Sequence, residues 1–224
     1  MVIFTFYLHV MIFDLSKTNS IANVFIAEIR DEQIQKDAMR FRINMERIGA
    51  YFAFEISKTL IFRETETQTP LGIAKTVQLA ERPVLATIAR AGIPMHKGML
   101  DIFDRADCAF VGAYRKSHKS GHFEIAIEYI SSPDLTDRIV IMVDPMLATG
   151  MSMVLCCKEL MGRYKIKELH IVSAIASSEG VRHVRANLPK AKLWIGAIDE
   201  EMTSKSYIVP GLGDAGDLAY GTKI

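Results

Sequence analysis

The run Ile139–Val143 constrains the fold more than any other stretch of this chain. Its residues are Ile, Val, Ile, Met and Val, so it is apolar throughout and mostly β-branched. A strand that is buried on both faces has this composition, because helices cover the two sides of a parallel sheet. The run therefore predicts a central strand of a parallel sheet.

Other short apolar runs alternate with segments of helical period. The predicted strands are residues 84–89, 108–114, 123–130, 139–143, 169–176 and 193–198. One or two helices are predicted within 33–62 and another at 95–104. A further helix follows the turn after strand 139–143 and ends at about 163, and the last one follows strand 169–176 and ends at 188. This alternation predicts an α/β fold with a mainly parallel central sheet flanked by helices. Residues 65–70 are polar and end in proline, which predicts a loop.

Residues 115–130 predict a β-hairpin arm. Residues 123–130 alternate between apolar and polar over most of their length, as a half-exposed strand does. Residues 115–122 before them are polar and basic, which is typical of an exposed connection. At the other end, residues 1–13 are mostly apolar but shorter than the roughly 20 residues of a membrane-spanning helix. We expect an extra edge strand or a disordered overhang there.

The segment 144–152 has the composition of a phosphate-binding turn. Asp144 ends the buried strand, and residues 148–152 (Ala-Thr-Gly-Met-Ser) then turn into a helix. Small residues let backbone N–H groups point outward, the helix adds its positive end, and Thr149 and Ser152 add hydroxyl donors. A carboxylate suits the two hydroxyl donors of a ribose. The segment predicts a ribose 5-phosphate site, and an ordinary capped strand-to-helix turn is the alternative.

The C-terminal segment 207–217 is rich in glycine and has almost no helical pattern. Pro210 and three glycines give an irregular path on which the backbone can approach a ligand closely. Backbone N–H and C=O groups can bind the edge of a planar pyrimidine, and a narrow slot excludes a purine. A turn-rich terminus without a ligand is the alternative on composition alone.

Two arginines follow predicted strands. Arg90 comes directly after the strand at 84–89 and has small neighbours, and Arg115 ends the strand at 108–114. A forked guanidinium suits a diphosphate group. A surface arginine at a turn and a solvated charge cluster are the respective alternatives.

Two of these segments carry a family resemblance. Residues 139–152 resemble the phosphoribosyl pyrophosphate (PRPP) motif of type I phosphoribosyltransferases, and Asp144 followed by Pro145 is the form typical of the uracil-specific family. Residues 207–217 are similar to the uracil-binding segment of that family. Two positions depart from the pattern: Met151 stands where a second glycine is common, and Leu218 where arginine is common.

The resemblance implies a pyrimidine salvage enzyme, a pentosyltransferase that converts uracil and PRPP to UMP and diphosphate. It implies PRPP contacts from Arg90, Arg115, Asp144, Pro145, Met146, Leu147, Ala148, Thr149, Gly150, Met151, Ser152 and Asp214. It implies uracil contacts from Ile208, Gly213, Asp214 and Ala215, and catalytic roles for Asp144, Arg115 and Asp214. It also implies Mg²⁺ bound with PRPP, a homodimer or homotetramer, and GTP as an effector in some members.

The same resemblance sets the expected domain organisation. Residues 1–224 form one phosphoribosyltransferase domain, with an N-terminal extension at 1–19, a β-arm at 115–130 and a uracil-binding segment at 199–224. That last segment forms a hood over the base site. Two alternatives stay open: a phosphoribosyltransferase for another nucleobase, and a PRPP-binding regulator of the same fold that binds RNA or DNA.

Composition and charge limit the classes of partner and metal site that we expect for this chain. Lys and Arg total 27 against 26 for Asp and Glu, and this balance argues against a nucleic-acid partner. The three cysteines form no CxxC pair and the six histidines are scattered, so we expect neither a disulfide framework nor a metal site made by the protein. His96, His118 and His122 are expected at the surface. We expect a cytoplasmic protein with no membrane partner.

Overall fold

The computed structural model describes residues 12–117 and 123–222, without the side chains of 114–117 and 123–124. The strands are β1 (Ile12–Asp14), β2 (Phe62–Thr69), β3 (Gly72–Leu79), β4 (Val84–Ala89), β5 (Asp107–Ser117), β6 (Phe123–Ser131), β7 (Ile139–Val143), β8 (Met146–Leu147), β9 (Glu168–Ser177), β10 (Lys192–Asp199), β11 (Glu201–Met202) and β12 (Ile208–Val209). The helices are α1 (Ala22–Arg30), α2 (Ala38–Ser57), α3 (Ile93–Leu100), α4 (Met151–Arg163), α5 (Ser178–Asn187) and α6 (Ala215–Tyr220).

The central sheet has the order β1-β10-β9-β7-β4-β5-β6, with β8 pairing beside β9. Its pairs are parallel except β5 with β6, which are antiparallel. The predicted α/β class with a mainly parallel sheet is therefore confirmed. β5 and β6 also form the expected hairpin, while its tip at 118–122 lies outside the described residues.

The central strand β7 divides two hydrophobic cores. Ile141 and Val143 face the core that contains residues of α2 and α3, while Val140 and Met142 face the core that contains residues of α4 and α5. All five residues of β7 are buried, as its composition predicted. Because successive strand residues point to opposite faces, a continuous apolar run can serve both cores.

The predicted loop at 65–70 is wrong. Residues 62–69 form β2, which pairs with β3 in a separate two-stranded antiparallel hairpin around a turn at Pro70 and Leu71. Threonine hydroxyls stabilise one face, since the Thr76 Oγ1 lies 2.9 Å from that of Thr65 and 2.8 Å from that of Thr67. The hairpin lacks the alternating apolar face of a core strand, and for this reason the hydrophobic pattern did not indicate it.

The structure also bears on the predictions for the N-terminus and for the histidines. Residues 12–14 form β1, which adds a parallel edge strand beside β10, while residues 1–11 lie outside the described residues. His96 is buried rather than exposed, because α3 packs it against Phe110 with its Nε2 3.3 Å from the Leu85 carbonyl oxygen. His118 and His122 lie outside the described residues.

No helix in the described residues is long and apolar enough to cross a membrane.

A buried polar cluster lies at the amino ends of β9 and β10. The Trp194 Nε1 donates to the His170 Nδ1 at 3.0 Å, and the His170 Nε2 lies 2.7 Å from the Glu168 Oε1. Because an indole N–H only donates, the histidine is neutral with its proton on Nε2. Burial lowers the pKa of His170 to about 4, against an ordinary value of 6.5.

We expect this histidine to make the fold acid-sensitive. Its folded pKa lies below its unfolded pKa, so its contribution is fully present above pH 6.5 and is lost as the pH falls toward about 4. The loss is on the order of 3 kcal/mol. Chemical denaturation at a series of pH values measures it. His170→Gln is the matched variant, because an amide still donates and accepts without titrating, and an unchanged pH dependence in this variant would contradict the assignment.

Candidate active site

The carboxyl ends of β4 and β7 bring Arg90 and Asp144 to one edge of the sheet. The two strands are parallel neighbours, and the buried Thr87 Oγ1 donates to the Val143 carbonyl oxygen at 3.1 Å. A Cβ added at Gly92 would lie 2.1 Å from that hydroxyl and 2.8 Å from that carbonyl. The absence of a side chain at Gly92 therefore lets the loop after β4 pass directly beside the residue that precedes Asp144.

The backbone of Asp144 is fixed against β9. Its N–H donates to the Val172 carbonyl at 3.1 Å, and its own carbonyl accepts from the Ser173 hydroxyl at 2.6 Å. The Pro145 carbonyl accepts from the Ile175 N–H at 3.0 Å. These bonds hold the half-buried carboxylate at the tip of the strand.

The middle of the predicted phosphate-binding turn is anchored through apolar side chains. Pro145 and Leu147 are buried, and Met146 packs on the core. Their backbone continues into β8, whose residues pair with β9. These three residues can therefore contribute backbone groups to a ligand, while their side chains hold the turn in place.

The start of α5 supports the next part of the turn. The Ser177 Oγ donates to the Ala148 carbonyl at 2.6 Å and accepts from the Gly180 N–H at 2.8 Å. A Cβ at Gly180 would lie 2.3 Å from the Ala148 carbonyl oxygen and 2.5 Å from that of Leu147. The turn and α5 are in backbone contact there, and only glycine permits it.

The turn ends in the amino terminus of α4. Gly150 adopts φ +74°, a left-handed conformation that favours glycine. The Thr149 Oγ1 accepts from the Met151 N–H at 3.4 Å, and the side chain of Met151 is 42% exposed. First-turn N–H groups of a helix have no partner within the helix, so this end of α4 can bind an anion.

The C-terminal segment contains a helix that the sequence did not predict. The Asp214 Oδ1 accepts from the Asp217 N–H at 3.0 Å and so caps α6. Gly213, just before it, is exposed with φ +91°, and a Cβ there would meet no atom within 4 Å. Ile208 and Ala215 are buried, so a ligand at this segment would meet mainly their backbone groups.

An ion pair outside the predicted site fixes the start of this segment. The Arg30 guanidinium binds both oxygens of Asp199 at 2.8 and 2.9 Å and donates to the Gly211 carbonyl at 3.1 Å. The Gly211 N–H donates to the same carboxylate at 3.0 Å. The pair is mostly buried, with Asp199 9% exposed, so it ties α1, β10 and the glycine-rich turn together.

Arg90 joins the C-terminal segment to the strand ends. Its Nη2 donates to the Asp217 Oδ1 at 2.9 Å and to the Gly221 carbonyl at 2.7 Å. A Cβ at Gly216 would lie 3.7 Å from the Ala91 Cβ and 3.8 Å from the Arg90 Nε. The loop after β4 therefore contacts the residue before Asp144 on one side and α6 on the other.

Comparison with known proteins identifies this arrangement. The family model described as uracil phosphoribosyltransferase matches residues 16–222. The chain belongs to the uracil phosphoribosyltransferase family. A relative of that name from Porphyromonas gingivalis is 49% identical over 211 residues, covering 94% of this chain and 98% of the relative. Another from Thermococcus gammatolerans is 35% identical over 202 residues, covering 89% of this chain and 88% of the relative.

A solved structure has the same architecture. The structure of a protein from Aquifex aeolicus superposes with a TM-score of 0.85 at 28% sequence identity, covering 96% of this chain and all of that one. The resemblance drawn from residues 139–152 and 207–217 is therefore confirmed at the level of the family and the fold.

The two departures from the uracil phosphoribosyltransferase pattern lie in different surroundings. Leu218 is partly buried and packs against the hydrophobic core, so it helps attach α6 to the body of the protein. Met151 is the exposed first residue of α4. A side chain is thus accommodated at 151 without closing the preceding turn.

The loop that carries Arg90 links the strand end before Asp144 to the helix that Asp214 caps, and one predicted residue is left undescribed. Arg115 lies in β5 opposite Ile125 of β6, and its side chain is outside the described part of the chain. The sequence analysis missed Arg30, Ser177, Gly180 and Asp217. Two of them gave a local signal: Gly180 follows a predicted strand, and Asp217 ends the segment 207–217.

Proposed function

We propose that the chain transfers the phosphoribosyl group of PRPP to uracil, giving UMP and diphosphate. Family membership supports the reaction. The observation that carries the site is the position of Arg90, which contacts α6 while its loop lies against the strand that ends at Asp144. A sugar phosphate at the strand ends and a base at the C-terminal segment would then be neighbours.

The PRPP site is proposed around the turn after β7. Asp144 accepts hydrogen bonds from the ribose hydroxyls, and backbone N–H groups of residues 148–152 with the Thr149 and Ser152 hydroxyls bind the 5-phosphate. Pro145, Met146 and Leu147 shape the backbone of that turn. Arg90 and Arg115 bind the diphosphate, since their forked guanidinium groups match its oxygens.

The uracil site is proposed at residues 208–215. Backbone groups of Ile208, Gly213 and Ala215 bind the edge of the pyrimidine, within a C-terminal hood formed by residues 199–224. Asp214 is exposed, and only its Oδ1 is used in the cap of α6. Its carboxylate is placed at the start of this helix, between the base segment and the PRPP ribose that it would contact.

In the proposed reaction the bond between the anomeric carbon and diphosphate breaks as the bond to the uracil ring nitrogen forms. Positive charge develops on the sugar ring, as in other glycosyl transfers. The protein contributes by positioning the two reactants and by stabilising this charge with Asp144 and the leaving diphosphate with the arginines. Asp214 is the candidate acceptor for the proton that leaves the uracil nitrogen.

Mg²⁺ is proposed as part of the substrate. The ion prefers phosphate oxygens and water and uses few protein carboxylates. Asp144 at the end of β7 is a carboxylate that fits this requirement, and most of the ligands would come from PRPP and water. When bound, Mg²⁺ would neutralise charge on the diphosphate.

The activity assay decides between the candidate functions. Purified protein with Mg²⁺, PRPP and a panel of uracil, orotate, hypoxanthine and adenine should release diphosphate with uracil only. Activity with another base would reassign the nucleobase substrate. No activity with any base across a broad pH range would contradict the proposed enzymatic function. In that case, a salt-dependent shift of RNA or DNA in the presence of PRPP would favour the regulator.

Gly213→Val tests the uracil site. The expected result is a KM for uracil raised by more than about tenfold with little change in PRPP binding, because the side chain would occupy the open space beside the segment. Gly213→Ala is the control for strain at φ +91°, since it adds the Cβ alone. Equal loss of both ligands in the valine variant would contradict separate sites.

Assembly, regulation and location are further proposals. We propose a homodimer or homotetramer with subunit contacts from the 115–130 arm. The β2–β3 hairpin is a second proposed contact, since Leu71, Ile73 and Val77 are 100%, 66% and 64% exposed. Light scattering at several protein concentrations measures the assembly. A response to GTP and a cytoplasmic location stay predictions from the resemblance, and the assay repeated with GTP tests the first.

A further inference from the structure

The guanidinium of Arg90 is fixed from one side by the C-terminal helix. Its Nη2 makes both contacts, to the Asp217 carboxylate and to the Gly221 carbonyl. Its Nε is buried and has no hydrogen-bond partner among the residues that the structure describes. A buried donor without a partner requires an explanation, and one is provided when an acceptor belongs to a ligand.

Helix α6, which carries Asp217, is held in place by a hydrogen bond and by packing. The Arg42 Nη1 donates to the Ala219 carbonyl at 2.7 Å, which ties α6 to α2. Ala219 is fully buried, and Leu218 packs on the same core. Asp214 caps the other end of the helix. The carboxylate of Asp217 therefore approaches Arg90 from an element whose position is fixed by packing.

An orienting carboxylate matters for a flexible side chain. Free arginine samples many rotamers, and ordering it on binding a ligand lowers affinity. Arg90 and Asp217 are 31% and 33% exposed, so solvent screens their attraction only in part. The ion pair thus restricts the guanidinium before any ligand arrives.

We propose that Asp217 is a positioning residue that orients Arg90 for the diphosphate of PRPP and couples this arginine to the uracil-binding segment. The inference rests on the proposed function. Asp217 holds one terminal nitrogen, and the other donors of the guanidinium serve the diphosphate. Since Asp217 belongs to the helix that Asp214 caps, the positions of the base segment and of Arg90 are linked.

The test compares Asp217→Ala and Asp217→Asn with the wild type by steady-state kinetics and by calorimetric titration with PRPP. The alanine variant should raise the KM for PRPP about tenfold, the effect of losing one charge-assisted hydrogen bond, with kcat changed less. Asparagine keeps an acceptor without the charge and should give a smaller rise. Glu159→Ala, which breaks an exposed ion pair with Arg163 on α4, is the matched control and should change neither constant.

A double variant separates positioning from a structural role. In an Arg90→Ala background, Asp217→Ala should have no further effect on the KM for PRPP, because the residue acts through the arginine. The same tenfold rise in both backgrounds, or a wild-type KM in Asp217→Ala, would overturn the inference. Failure of the wild type to bind PRPP would instead overturn the proposed function, so the two failures are distinguishable.

Discussion

Gly180→Ala is expected to lower kcat/KM for PRPP by about a hundredfold or more, although Gly180 belongs to no recognised motif. The added Cβ would lie within 2.5 Å of the carbonyl oxygens of Ala148 and Leu147, and both are backbone atoms that cannot rotate away. The proposed phosphate-binding turn or α5 must move, and a misplacement of about 1 Å can lower a rate about a hundredfold. Steady-state kinetics with PRPP as the varied substrate measures the change.

The chain provides a matched control for this substitution. Gly162 is also helical, lies in α4, and has open space around its Cβ position. Gly162→Ala should keep wild-type kinetics and raise the free energy of unfolding by up to about 1 kcal/mol, because alanine favours a helix. If Gly180→Ala folds too poorly to assay, Ser177→Ala, which removes the hydroxyl bond to the Ala148 carbonyl, tests the same support. Wild-type PRPP kinetics in both variants would show that the turn does not depend on α5.

Asp144→Ala is expected to lower kcat/KM by well over tenfold. In the proposed site the carboxylate accepts from both ribose hydroxyls and stabilises positive charge on the ring, and the removal of one such electrostatic group typically costs about a hundredfold. Asp144→Asn separates charge from shape, since the amide has nearly the same size. A greater loss of kcat than of PRPP affinity in the asparagine variant is the expected sign of a transition-state role.

The control for Asp144 is a carboxylate away from the strand ends. Asp101→Asn removes the charge of an exposed residue that pairs with Lys97, and it should leave the kinetics unchanged. Circular dichroism of each variant verifies the fold. Unchanged turnover in both Asp144 variants would remove this residue from the mechanism.

The elements that the sequence predicted well have a strong local pattern. β7 was predicted with its exact bounds because five consecutive buried residues must be apolar. α6 was missed since its start, Ala215 and Gly216, reads as a glycine-rich loop, and its stability depends on the Asp214 cap and on the packing of Ala219 and Leu218.

The sequence by itself determined the α/β class and the family, and it indicated the turn at 144–152 and the segment 207–217 as the proposed binding sites, because each pattern is carried by residues that are close together in the chain. Only the tertiary structure decided which distant residues support them. Gly180 must be small because α5 meets a turn about thirty residues earlier, and Asp217 meets Arg90 across 127 positions. Such contacts leave no periodic signal in the sequence, since they depend on the spatial order of the strands in the sheet.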